Sequence, residues 1–475
     1  TGISNTLIGG LAGDALTDAD FNVALGYFAL SGDTKGNKTT AIGVGALESQ
    51  NFTSSTDTYN TALGYQAGKL VTTGIQNTLI GALAGDSLTD ADYNVAVGHS
   101  ALDADTLGSR SVAVGTHALT SQNFTSATNT YNVAVGFEAG ASVTTGEQNT
   151  LIGGLAGDAL TDADFNTAIG HLALSSDTLG SRSTAIGMNT LRDQNFTSAT
   201  ETYNVAVGHG AGLLVTTGTN NTLIGGLAGD AITTASNNTA VGKAALGANT
   251  TGSANVAVGT AALTTNTTAS ANTAVGYQSQ ESNTTGADNS SLGTHALRVN
   301  TTGASNTSMG SLSLDANTTG NDNTAVGVNA LTSNTTASNN TAVGVNSLNA
   351  NTTGSSNVAV GRNALLTNTT GQLNIAVGQD TLGLNTTGTH NTAVGETCMY
   401  SNTTASNNTA LGASALRANT TGTANVAVGA SAGLALTTGD SNVAIGYEAL
   451  KTEDAHGLNV AVGANALRTL NAGTN

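Results

Sequence analysis

Proline and tryptophan are absent from the 475 residues, and there is one cysteine, Cys398. At ordinary usage about 24 prolines are expected, so their absence excludes collagen, polyproline stalks and Pro-rich linkers. A single cysteine excludes an intrachain disulfide framework. Aromatic residues make up 3% and charged residues 9%, against roughly 25% charged in an ordinary domain. So few large apolar side chains argue against a set of conventional globular cores. Low charge and the lack of an 18-residue apolar run exclude a highly charged disordered tail and a membrane helix. Bases are scarce too: 12 against 30 acids, net -18. No basic patch is available to release counterions, so nucleic acid is not an expected partner.

What is abundant is small and periodic. An aliphatic residue followed by glycine recurs throughout, and from Gly208 to Gly463 the interval is 17 residues without a slip. Before that, intervals of 17, 17, 21 and 17 residues build a 72-residue block, seen from Gly9 to Gly81, then to Gly153 and Gly225. There are 27 such glycines, and an Asn stands four places before 24 of them; the exceptions Thr39, Ser111 and Ser183 share one place in the block. A disordered low-complexity chain has no reason to hold this register. The expected organisation is one continuous solenoid, with super-repeats over 1–224 and plain repeats over 225–475. The chain opens and closes inside a repeat, which reads as a section of a longer polymer.

The unit is N-[TV]-A-[VI]-G-x-x-A-L-x-x-N-T-T-G-x-x, as at Asn340-Thr341-Ala342-Val343-Gly344 through Asn351. Seventeen residues are too few for a helical hairpin and suit one coil of a parallel β-solenoid, an all-β fold. The T-A-V and V-A-V segments read as strands bounded by turn formers. Gly344 and its equivalents supply a corner, Asn tolerates the same backbone angles, and A-L-x-x-N-T-T-G is expected to hold a second extended segment and corner. Stacking places Val343 over Val and Asn340 over Asn; Asn351 belongs to a second Asn column from Asn249 to Asn419. Both columns are expected to form amide ladders.

The strand is apolar on both faces: Thr341 and Val343 point one way, Ala342 the other. Buried parallel strands are covered on both sides, so a second identical chain is the expected cover, giving a homo-oligomer. At about 4.8 Å per coil the whole is expected to extend roughly 125 Å.

Ser111-Val112-Ala113-Val114-Gly115-Thr116-His117-Ala118, Thr184-Ala185-Ile186-Gly187 and Asn442-Val443-Ala444-Ile445-Gly446 resemble the S-V-A-I-G-x-x-A repeat of trimeric autotransporter adhesin heads. The N-T-A-V-G-x-x-A-L-x-x-N-T-T-G form resembles repeats of phage tail fibres, and the resemblance covers essentially the whole chain. It implies a homotrimeric left-handed parallel β-roll serving as a stiff extracellular fibre or cell-surface adhesin. On that reading the partners are further copies of the chain and a host-cell surface or glycan receptor, with no membrane insertion, no cofactor and no enzymatic activity. The coil here is longer than in the adhesin heads. Two alternatives follow from the repeat itself. One is a self-assembling extracellular filament. The other is an ice-binding solenoid with stacked threonines, although Thr250-Thr251 are adjacent, and two outward threonines on one strand need i and i+2 spacing.

Two segments stand out as candidate sites. The 21-residue coil carries Phe52 and Tyr59, repeated as Phe124 and Tyr131 and as Phe196 and Tyr203, six of the 16 aromatics. A loop bearing a ring and hydroxyls on a rigid scaffold suits a sugar or other receptor contact; the alternative is that the rings fold the extra residues back onto the solenoid. Asp18 and Asp20 with Asn22 have the D-x-D-x-N spacing of calcium loops, repeated at Asp90 and Asp92 and at Asp162 and Asp164. No Gly at the sixth position and no distal Glu accompany them, and solvated corner aspartates are the plainer reading. The histidines form no metal-ligand spacing, and Cys398 takes an Ala position in the core.

Overall fold

The structure, a computed structural model, describes residues 2–452 and 455–469; the chain end at Asn475 lies outside them. The chain divides into two compact units, Thr1–Asn238 and Thr239–Asn475. Among the described residues the first unit has 13 three-residue strands in one parallel sheet, from Thr6–Ile8 to Thr222–Ile224. The second has 14, from Thr239–Val241 to Val460–Val462. Neighbouring strands pair in register one coil apart, as in Thr324↔Thr341, Ala325↔Ala342 and Val326↔Val343. Each unit is therefore a parallel β-solenoid of short coils, with no helix among the described residues.

Alternation along each strand decides the faces. Ala342 is fully buried, Thr341 half-buried and Val343 exposed. The core of the second unit is one cluster of strand alanines with the A-L pair of each coil, including Ala342, Leu331, Leu348, Ala364 and Leu365. In the first unit the same volume is distributed differently. Leu79 takes the strand-alanine position, Gly85 the A-L leucine position and Leu88 the ladder-Asn position. A Cβ on Gly85 would lie 2.8 Å from both Leu79 and Leu88. Large and small residues exchange places, as close packing of a fixed interior requires.

The corner glycine is required twice over. Gly344 has φ +135, and an added Cβ would meet the Gly361 carbonyl oxygen at 2.6 Å, a conformation close to Gly-only territory. The expectation for Asn is corrected: the left-handed residue is the one before it, Asn339 at φ 62. Asn340 is kept for its side chain. Its backbone N–H donates to Asn323 Oδ1 at 3.0 Å and its Nδ2 donates to the Gly354 carbonyl at 2.9 Å. The second column repeats the device: Asn351 Nδ2 donates to Asn334 Oδ1 and to the Gly354 carbonyl, both at 2.9 Å.

The second extended segment of the plain coil is also corrected. A-L-x-x-N-T-T-G carries no strand; it belongs to a chain of turns in which Leu331, and Asn329 just before the segment, adopt φ 52 and 56. Alternating left- and right-handed residues turn the backbone N–H groups toward different neighbours. Asn329 N–H donates to the coil before, at Ser311 O, and Leu331 N–H to the coil after, at Ser347 O. Non-glycine residues there cost about 1–2 kcal/mol each, offset by satisfying the buried backbone. Among the described residues only the 21-residue coils add a second ladder: Gly36–Asn37 with Thr56–Asp57, Gly108–Ser109 with Thr128–Asn129, and Gly180–Ser181 with Thr200–Glu201.

Candidate functional site

The outer face of the sheet is the larger feature. In the second unit Leu292, Met309, Ile375 and Leu411 are 41–50% exposed. Around Leu292 and Met309 the face dips into a hollow of about 200 Å³, with Thr273, Val275, Ser290 and Thr307 at its edge. In the first unit Ile8, Leu25 and Leu63 stand on the equivalent columns, also exposed. Nothing charged interrupts either face, because Thr, Val, Ile, Leu, Met and Ser fill these positions.

The 21-residue coils split their two aromatics. Phe52, Phe124 and Phe196 are buried, 5–7% exposed, whereas Tyr59, Tyr131 and Tyr203 are half exposed. The Phe thus folds the insert back onto the solenoid and the Tyr faces solvent. Beneath each insert lies a network that sequence reading missed. Asp33 Oδ1 accepts from the Gly36 and Phe52 N–H groups at 3.0 and 3.1 Å, and Oδ2 from Gln50 Nε2 at 2.6 Å. Gln50 Nε2 also donates to Thr39 Oγ1, which bonds Thr58 Oγ1, and Gln50 Oε1 accepts from Asn60 Nδ2 at 2.9 Å. All five side chains are buried. Asp105, Ser111, Gln122, Thr130 and Asn132 repeat the arrangement, as do Asp177, Ser183, Gln194, Thr202 and Asn204. Burial pushes the Asp105 carboxyl above the usual carboxylate range, against the pull of its hydrogen bonds from Gln122 and the Phe124 and Gly108 N–H groups. The signal was present: a hydroxyl residue replaces the ladder Asn in the coil where Gln replaces the second-column Asn.

Outside this network a surface column places an aromatic, a cation and an aromatic on successive coils. These are Phe21, Lys38 and Tyr59; Tyr93, Arg110 and Tyr131; and Phe165, Arg182 and Tyr203. All nine have φ between 50 and 66, which turns their side chains off the corner. Lys38 Nζ donates to Asp57 Oδ2 at 2.6 Å and Tyr59 Oη at 3.0 Å. The Arg110 guanidinium lies over Tyr93 at 4.6 Å and bonds Asn129 Oδ1 at 3.0 Å. Arg182 lies 4.6 Å from the Phe165 ring centroid and 6.0 Å from that of Tyr203. Its Nε donates to Glu201 Oε1 at 2.9 Å, and Tyr203 Oη donates to Glu201 Oε2 at 2.6 Å. The hydrogen bond from Tyr203, then that from Arg182, holds the Glu201 carboxyl below its ordinary range. The hydrogen bond from Lys38 does the same for Asp57.

The aspartates considered for calcium hydrogen-bond to the preceding coil. Asp20, Asp92 and Asp164 each accept a backbone N–H from the preceding coil, of Ile3, Ile75 and Glu147, at 2.7–2.8 Å. Asp90 and Asp162 accept from Thr73 and Thr145 at 2.6 Å, and Asp18 stands at the matching place in the first block. These oxygens bridge coils instead of converging, and no group of three His, Cys, Asp or Glu residues able to hold a metal occurs among the described residues. The threonines also divide. Thr250 Oγ1 donates to the Thr267 carbonyl and Thr318 Oγ1 to the Thr335 carbonyl, both at 3.0 Å, so one threonine of each pair is tied inward, while Thr251 is exposed. Among the described residues no helix is long and apolar enough to cross a membrane. Arg298 pairs with Asp315 one coil on, and Glu281 accepts from Gln278.

No protein-family model matches the chain, and a search of curated proteins finds no match.

Proposed function

We propose that the chain is a structural and adhesive segment of an extracellular fibre, of the tail-fibre or surface-adhesin kind, that associates with copies of itself, as a trimer by its resemblance to the adhesin-head repeats, and presents receptor contacts. The observation that carries the reading is the uncharged outer strand face, whose third strand position holds an aliphatic or Met side chain in every coil, half-exposed at Leu292, Met309 and Leu411. A second copy is the occupant that fits, because its columns have the same spacing of about 4.8 Å and so meet in register along the face. Over the 14 strands of the second unit the strip runs roughly 60 Å and covers on the order of 600 Å² per partner, close to the ~800 Å² of a standard interface. Sedimentation of the full chain tests this. A mass of three chains is expected, and Leu292→Glu with Met309→Glu is expected to shift it toward monomer. A monodisperse wild-type monomer overturns the association.

A further inference from the structure

We propose that the three aromatic–cation–aromatic clusters of the first unit bind a neutral, extended polysaccharide, one cluster per 72-residue block. The proposal deepens the adhesive part of the reading above and rests on it. The two fail separately, since mass in solution tests association and sugar binding tests the ligand.

Each cluster offers the two kinds of contact that a pyranose ring uses. Flat rings are available to its C–H face: the six outer aromatics, Phe21, Tyr59, Tyr93, Tyr131, Phe165 and Tyr203, are 39–55% exposed. Fixed polar groups for its hydroxyls stand beside them. In the third cluster a hollow of about 150 Å³ is bounded by Asp164, Phe165, Ser181, Arg182 and Glu201. Arg182 commits Nε to Glu201, and a guanidinium has four further N–H donors, while each carboxylate oxygen keeps a second lone pair. Ser181 Oγ accepts the Asp164 N–H and keeps its own hydroxyl proton to donate. Donors and acceptors therefore stand side by side, as vicinal hydroxyls require.

Charge selects among ligands. A polyanion is disfavoured by the net charge of -18 and by the carboxylates that already neutralise Lys38 and Arg182. A cationic ligand is disfavoured because Lys38, Arg110 and Arg182 occupy the place between the rings. A neutral sugar meets neither obstacle. Within a cluster the two aromatics lie two coils apart, about 10 Å, and clusters repeat every four coils, about 19 Å. A chain of sugars following the column would meet successive clusters, so weak sites add by avidity.

The test uses the full chain and an array of immobilised neutral hexose, N-acetylhexosamine and uronate oligosaccharides and polysaccharides. Binding to neutral glycans is expected. The triple variant Tyr59→Ala, Tyr131→Ala, Tyr203→Ala is expected to lose it by about 100-fold or more, with an unchanged urea midpoint. The corresponding Tyr→Phe triple, which keeps the rings, is expected to retain binding within about threefold. Binding that survives the Ala triple, binding confined to uronates, or no binding across the array each overturns the proposal.

Discussion

Replacing Asn340 separates the ladder from simple packing. Asn340 is fully buried. Its Oδ1 accepts the Asn357 N–H at 2.9 Å and the Asn357 Nδ2 at 3.3 Å, and its Nδ2 donates to the Gly354 carbonyl. In Asn340→Ala the Asn357 N–H loses its acceptor inside the coil stack. The Gly354 carbonyl keeps a bond from Asn351 and the Asn357 amide keeps the Gly371 carbonyl. One orphaned buried donor costs about 1–3 kcal/mol, and the weakened bonds add to it, so roughly 2–4 kcal/mol is expected. Asn340→Asp keeps the acceptor but turns a carboxylate oxygen toward the Gly354 carbonyl, where Asn340 donates. Protonation restores a donor there. The folded pKa of that aspartate is then raised above the unfolded value of about 3.9. Its stability is fully present below the unfolded value and lost as pH rises through the folded one. Urea unfolding at about pH 7 and about pH 4, with hydrogen exchange at Asn357, reads both effects. The Asp variant is expected to gain on acidification relative to wild type and the Ala variant to show no such gain. If Asn340→Ala stays within about 0.5 kcal/mol of wild type and Asn357 exchanges no faster, the ladder does not hold the coils.

Gly344→Ala is expected to cost about 2–5 kcal/mol in the same unfolding assay, because its Cβ would meet the Gly361 backbone at φ +135. Gly226→Ala, where an added Cβ meets nothing within 4 Å, is expected to be close to neutral. Burial pushes the Cys398 thiol up to about 12, so a disulfide reagent at about pH 8 is expected to label it only as urea unfolds the chain; rapid labelling of the native protein would contradict its place in the core. Burial also raises the carboxyls of Asp86, Asp105, Asp158 and Asp230. Groups with raised folded pKa values gain stability as pH falls through those values, so the melting temperature is expected to hold or rise from about pH 7 to about pH 5, and a steep fall there would refute the assignment.

The fold was legible because each of its parts repeats. Gly344 and Asn340 recur in phase, and stacked coils turn that phase into columns, so strand, corner and ladder follow from spacing. What was not legible is local backbone geometry. A-L-x-x-N-T-T-G resembles an extended segment by composition, but its leucines adopt left-handed angles that a propensity argument assigns to Gly or Asn. Tertiary hydrogen bonds to the coils before and after override that preference. The candidate site was legible in outline only. The insert drew attention to both Phe52 and Tyr59, yet a single sequence does not say which ring turns inward. Lys38 and Phe21 are distant from Tyr59 in sequence and adjacent only through stacking.

The 72-residue period has a physical cause that joins the buried network to the exposed rings. Tyr59 lies between Thr58 and Asn60, both buried. Thr58 is tied to Thr39, and Asn60 to Gln50 and the Gly74 carbonyl. A half-exposed ring is thus carried on a backbone anchored on both sides, which lowers the conformational entropy lost when a ligand is bound. The anchor requires a hydroxyl where a plain coil has Asn, a Gln where it has the second Asn, and an aspartate three residues before Gly36 to hold the Phe52 N–H. Altering one of these leaves a buried partner unsatisfied, so network, insert and Tyr can be copied together but not easily exchanged singly. Copies of the Tyr-bearing insert therefore come at the period of the buried network beneath them.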